Sequence, residues 1–338
     1  MTAKTTKKHI YIYSPSGAVR DRAAFRRGIA RLKTLGHEVE IDADALASHQ
    51  RFAGDDTTRV AAIHRAAASG CDVALTTRGG FGLTRILDGI HYTAVAKSID
   101  KGTQFVGFSD FTALSLAVLA KTGQRTWAGP ALCDDFAGRA GTKNGAGQSA
   151  EPDAHGHASL SSAPDDIMED CFNDMITGQG EGAGWRLDKE RVEREPSPSP
   201  DNIHIKNAPL WGGNLAVLSS LVGTPFFPKV KGGILFLEDV AEPPYRVERM
   251  LTQLLLSGVL AQQKAIVMGQ FTLYKLTPHD KGYKLQTVVD WLRARLKIPV
   301  LTNLPFGHVA TKVMLPVGAR VNLVVQDRDA FLLWGHQH

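Results

Sequence analysis

The alternation of short β-prone runs with helical ones constrains this chain more than any other feature. His9 to Tyr13 ends in the turn cluster Ser14-Pro15-Ser16-Gly17, after which Asp21 to Leu35 keeps helical spacing until Gly36. The unit recurs as Glu38 to Ile41 before a helix over Asp56 to Ala68. It recurs again as Asp72 to Thr76, and as Gln104 to Gly107 before a helix over Phe111 to Lys121. Strands joined through helices pair in parallel, and the helices cover the sheet. The predicted fold class is therefore α/β with a mostly parallel sheet.

At 338 residues the chain exceeds what one core usually supports, so two domains are expected. Gly138 to Pro164 is Gly, Ala, Ser, Asp and His with almost no large apolar residue, which predicts a flexible insertion. Glu195-Pro196-Ser197-Pro198-Ser199-Pro200 is a second break, kept extended by its prolines. These breaks divide the chain into an N-terminal domain over 1–137, an insertion and linker over 138–200, and a C-terminal domain over 201–338. In the last part helices are predicted over Leu215 to Leu221, Tyr245 to Leu256 and Leu285 to Leu296. Strands are predicted over Gly233 to Leu237 and Ala265 to Met268, with a closing hairpin from Arg320 to Val325 and Ala330 to Leu333.

The net charge of +5 comes from 39 basic residues spread along the chain, and the one dense run is Lys4, Lys7 and Lys8. A nucleic-acid partner needs a concentrated patch, so none is expected. Cys71, Cys133 and Cys171 are odd in number and far apart, which fits neither a disulfide framework nor a zinc site and points to the reducing cytoplasm. No apolar run approaches the roughly 18 residues of a membrane span, so no membrane partner is expected. The pair His155 and His157 has no acidic or cysteine partner at metal-ligand spacing, so no metal is expected either.

Four loops at predicted strand ends carry the chemistry. Gly107-Phe108-Ser109-Asp110 runs from strand straight into helix, a turn that can present Ser109 outward, with the Asp110 N–H at a helix start. Phe111 stands where the usual elbow has glycine, and Ser109 as a plain N-cap fits the local pattern equally. Thr77-Arg78-Gly79-Gly80-Phe81-Gly82 allows close backbone approach or an ordinary tight turn. It lacks both the Walker lysine and the dinucleotide fingerprint, so no cofactor is expected. Glu238 ends a strand where it can orient a histidine or pair with Arg246 or Arg249. His308 in Pro305-Phe306-Gly307-His308 can act as a general base or be an ordinary loop residue.

Taken in order, these segments resemble the LD-carboxypeptidase family, which includes muramoyltetrapeptide carboxypeptidases and microcin-immunity peptidases. The carriers are Ser14-Pro15-Ser16-Gly17, Arg78-Gly79-Gly80-Phe81-Gly82, Gly107-Phe108-Ser109-Asp110-Phe111-Thr112-Ala113-Leu114 and Gly212-Gly213-Asn214-Leu215. They continue through Leu237-Glu238-Asp239-Val240, Pro244-Tyr245-Arg246, Phe306-Gly307-His308 and Leu315-Pro316-Val317-Gly318. The resemblance implies a Rossmann-like parallel-sheet N-terminal domain bearing the nucleophile. It also implies a smaller, β-rich α/β C-terminal domain, closure of the two assembling a triad of Ser109, Glu238 and His308.

It further implies an oxyanion hole from the N–H of Asp110 with Gly79 or Gly80, each donor contributing about 3 to 4 kcal/mol. The implied substrate is a cytoplasmic murein tetrapeptide cut before its terminal D-alanine, and the implied assembly is a homodimer. Arg78 can take the free carboxylate or make a structural ion pair. Trp211 and Asn214 are further candidates for substrate contact. Trp185 and Trp211 would suit a nucleobase if the substrate were instead an aminoacyl nucleotide, as for the immunity peptidases. The reading from another class is a non-catalytic small-molecule binding protein on two α/β lobes.

Overall fold

The structure is a computed structural model that describes residues 7–138, 163–187 and 202–335. The first half follows the predicted rhythm: β1 (His9–Tyr13), α1 (Arg22–Thr34), β2 (Glu38–Ile41), α2 (Asp56–Ala68) and β3 (Val73–Thr76). Then come α3 (Tyr92–Asp100), β4 (Gln104–Gly107), α4 (Thr112–Thr122) and β5 (Thr126–Ala128). Asp21 caps α1 by accepting the N–H groups of Ala23 and Ala24, and Gly123 ends α4 in the left-handed region at φ +72.

The second half holds α5 (Asp166–Thr177), β6 (Gly182–Arg186), β7 (Asn202–Asn214), α6 (Leu215–Ser220), β8 (Ile234–Val240) and α7 (Pro244–Leu256). It continues with β9 (Ala265–Thr272), α8 (Leu285–Arg295), β10 (Val300–Leu301), β11 (Leu315–Val317), β12 (Arg320–Gln326) and β13 (Asp329–Leu333). Residues 315–317 do not stay with their neighbours, since β11 pairs antiparallel with β5 of the first sheet.

The first sheet has the order β11-β5-β4-β3-β1-β2, all parallel except β11. The order reverses between β1 and β3, and parallel sheets place ligands outside the carboxyl ends of the strands at such a point. The second sheet runs β10-β9-β8-β7-β12-β13-β6 and is mixed, parallel from β10 to β7 and antiparallel beyond. This is the α/β class expected, with the antiparallel content in the second half.

The long β7 was invisible in the sequence because Asn207, Pro209, Gly212 and Gly213 all disfavour a strand. The structure explains Gly212: its φ is +140, and a Cβ there would lie 1.9 Å from the Phe236 carbonyl oxygen of β8. Close packing of β7 on β8 therefore depends on this glycine. In β8 the residues from Ile234 to Asp239 are all buried, so Glu238 and Asp239 are carboxyl groups inside an apolar strand and need partners.

Candidate active site

Ser109 leaves β4 through a single 3₁₀ turn, Ser109–Phe111, that precedes α4. Its φ of +61 is unusual for a residue with a side chain, the kind of strain that persists only when the surroundings dictate it. The surroundings are glycine. A Cβ on Gly107 would lie 2.7 Å from both Phe111 and the Thr76 hydroxyl, and one on Gly79 would lie 2.9 Å from Ser109 Oγ. The same Gly79 position is 3.5 Å from the backbone nitrogen of Asp110.

Asp110 itself turns inward. Its buried carboxyl accepts the Leu83 N–H at 3.0 Å and the Ser16 hydroxyl, tying the elbow to the loops after β1 and β3. Burial pushes this carboxyl above its usual range, against the opposing effect of those two hydrogen bonds.

Across the cleft, Glu238 sits at the point where the β8–β9 register slips, a bulge of the kind that re-aims a side chain. Glu238 is fully buried; its Oε2 lies 2.8 Å from His308 Nδ1, and its Oε1 accepts the Asn214 amide at 3.1 Å. His308 Nε2 lies 3.1 Å from Ser109 Oγ. Ser109, His308 and Glu238 are thus hydrogen-bonded in series, with the histidine between. The pairing of Glu238 with Arg246 does not form, because Arg246 pairs with Glu242 at 2.9 Å. Burial disfavours the imidazolium of His308, but the Glu238 hydrogen bond and charge outweigh it, leaving its pKa above the ordinary histidine value. The adjacent Asp239 is pushed up to about 6 by burial and by Glu238.

A cavity of ≈ 440 Å³ opens over Ser109 and His308. Arg78, Gly79 and Gly80 border it on one side; Asp134, Asp165 and Asp166 are among its acidic lining. Arg78 donates to the Ala18 carbonyl at 3.5 Å, and no ion pair to it occurs among the described residues.

Two expected contacts lie elsewhere. Trp211 is 0% exposed in β7, its indole N–H donating to Gln263, so it is a core residue that cannot reach the cavity. Asn214 is also buried, and its amide spans the Glu238 and Asp239 carboxyls, so it braces those two groups and is absent from the cavity lining. Trp185 donates to the Thr302 carbonyl and is likewise absent from the lining. The aromatic that does line the cavity is Phe108, its ring 4.9 Å from that of His308.

Sequence reasoning missed Lys312 and Asp135, both in the lining and buried as an ion pair. A signal existed only in Asp134-Asp135 following an apolar pair, too common to single out. His155 and His157 lie outside the described residues. Among the described residues no cluster suits a metal ion, and no helix is long and apolar enough to cross a membrane.

Models of the LD-carboxypeptidase N-terminal and C-terminal domains match residues 10–129 and 207–323. A crystal structure of muramoyltetrapeptide carboxypeptidase from Oxalobacter formigenes superposes with a TM-score of 0.78 at 36% identity, over 97% of this chain and 98% of that one. The chain belongs to the LD-carboxypeptidase family.

As a member it is a carboxypeptidase in class. A probable murein peptide carboxypeptidase of Bacillus subtilis is 27% identical, over 89% of this chain and 84% of its own length. The microcin C7 self-immunity protein of Escherichia coli is 24% identical, over 75% of this chain and 72% of its own. A structure of a microcin C7 self-immunity protein with aspartyl sulfamoyl adenosine has a TM-score of 0.77 at 21% identity, covering 98% of each chain, a likeness of fold.

Proposed function

We propose that the protein is a serine LD-carboxypeptidase that releases the terminal D-alanine of murein tetrapeptides, with Ser109, His308 and Glu238 as its triad. The observation that carries this reading is the series of contacts from Ser109 Oγ to His308 Nε2 (3.1 Å) and from His308 Nδ1 to Glu238 (2.8 Å). That spacing suits proton transfer from the hydroxyl as it attacks a carbonyl.

On this reading His308 takes the Ser109 proton while Glu238 holds the Nδ1–H tautomer and stabilises the imidazolium. His308 then protonates the leaving amine, and water hydrolyses the acyl-enzyme. The oxyanion falls to the Asp110 N–H with Gly79 or Gly80, of which Gly79 lies beside Ser109 Oγ. Arg78, without an ion pair among the described residues, takes the free carboxylate, since a guanidinium matches it bidentately. The acidic side of the cavity suits the ammonium of a diamino acid, so the lining is complementary to a dipolar peptide end. A Phe lining with no described tryptophan favours the peptide over a nucleotide conjugate.

Residues 1–137 and 201–338 are the two domains on this reading, 138–200 joining them. Cytoplasmic recycling of wall fragments is the setting, and three free cysteines suit it. A homodimer is part of the same proposal, to be checked by light scattering. Incubation with a tetrapeptide ending in D-alanine, beside Ser109→Ala, tests the function. Release by the wild type alone is expected. If the wild type spares the peptide and cleaves an aminoacyl-sulfamoyl adenylate, the immunity-type reading replaces this one; a thermal shift without turnover of either would indicate a binding protein.

A further inference from the structure

His308 lies in residues 302–314, a stretch with neither helix nor strand, so no backbone ladder fixes its ring. The backbone ties cluster before His308: Leu304 N–H to the Met268 carbonyl at 3.2 Å, Gln270 N–H to the Phe306 carbonyl at 2.8 Å, Phe306 N–H to the Leu304 carbonyl at 2.7 Å and Val313 N–H to the Pro305 carbonyl at 2.9 Å, while the Thr272 hydroxyl donates to the His308 carbonyl at 3.4 Å. What reaches this loop from the opposite sheet is a buried ion pair. Asp135 follows β5 in a one-turn π-helix, Leu132–Phe136, and its carboxylate accepts both the Ala131 N–H at 2.8 Å and the Lys312 ammonium. Lys312 also donates to the carbonyl of Val309, the residue after His308, and stands 4.6 Å from the centre of the Phe108 ring. That ring in turn packs against His308. Asp135 is 7% exposed and Lys312 2%.

We infer that the Asp135–Lys312 pair is the positioning device for His308, anchoring its loop through the Val309 carbonyl and its ring through Phe108. A buried ion pair gains little net stability over apolar packing of the same volume, so its use here is registration rather than energy. The geometry fits that use, because one ammonium joins a carboxylate of the nucleophile's side to the backbone beside the base. Thr311, whose hydroxyl donates to Asp165 at 2.8 Å, braces the same loop from the start of α5. Lys312 and Asp135 act through His308 and are positioning residues.

The inference rests on the proposed role of His308, and its test separates the two. Phosphonylation of Ser109 by an alkyl fluorophosphonate, in which Oγ bonds to phosphorus and fluoride leaves, reports an activated serine whatever the peptide specificity, and is measured beside kcat and KM for the tetrapeptide. Lys312→Met is expected to slow phosphonylation and lower kcat by about 100-fold, as a displacement near 1 Å can, with KM within about 3-fold. Single variants leave a buried charge unpaired, so Asp135→Leu with Lys312→Met is made as well. The double variant is expected to regain the thermal midpoint while phosphonylation stays slow. Recovery of the rate along with the midpoint, phosphonylation of Lys312→Met at the wild-type rate, or a rise in KM alone would each overturn the inference. A wild type inert to the reagent would overturn the triad itself, and this inference with it.

Discussion

The two sides of the cleft hold their residues by different means. Ser109 is placed by backbone: a positive φ, two glycines with no room for a Cβ, and a buried Asp110 that anchors the turn. His308 also follows a positive-φ glycine, Gly307 at +143, but its ring is placed by side chains: Glu238 bonded to Nδ1, and Phe108 packed on the ring with Lys312 behind it. A site made by backbone is sensitive to volume, and one made by side chains is sensitive to charge. Substitutions of the two kinds should therefore fail in different ways.

The largest effect is expected from Ser109→Ala, which should lower kcat by about 10⁶-fold with the fold intact, read as D-alanine release per active site. Glu238→Gln keeps shape but removes the charge, and should cost about 10⁴-fold in kcat. Its pH profile sharpens the contrast. On the proposed mechanism His308 must be neutral to accept a proton, and its pKa is raised, so kcat/KM should fall as pH drops through a midpoint above 6.5. In Glu238→Gln that acid limb should move down. The sign for stability is opposite: the raised His308 pKa stabilises the fold at low pH, and that contribution is lost as pH rises through it.

Gly79→Ala tests the backbone side. Its Cβ would crowd Ser109 Oγ, and kcat should fall by about 10² to 10³-fold with the pH midpoint unmoved, because no charge changes. An altered midpoint in this variant would break the comparison. The smallest catalytic effect should come from Trp211→Phe. It strands the Gln263 side-chain oxygen and should cost about 1 to 3 kcal/mol in urea unfolding while kcat stays at the wild-type value.

Legibility in the sequence followed the same division. The elbow could be read because backbone geometry leaves a local signature, strand then Gly-x-Ser-Asp then apolar helix, and the periodicity showed β1 to β4 with α1, α2 and α4, but not α3. Glu238 and His308 could be found only as members of a set of motifs, since neither has a local pattern that excludes the ordinary alternative. Asp135 and Lys312 left no trace of their pairing, because an ion pair between residues 177 positions apart is a property of the packing. Trp211 misled for a related reason. An indole looks like a ligand platform until the buried Gln263 that satisfies it is known. β5 and β11, three residues each, are too short for any periodicity to register.

The small strand β11 also orders events during synthesis. Residues 315–317 must leave the ribosome before the edge of β5 is covered, although every parallel strand of that sheet was made by residue 128. An unpaired edge is a template for stray association. The nascent chain therefore carries the unfinished sheet behind Ser109 through most of its translation, and nonsense fragments ending before residue 315 should be sticky rather than merely inactive.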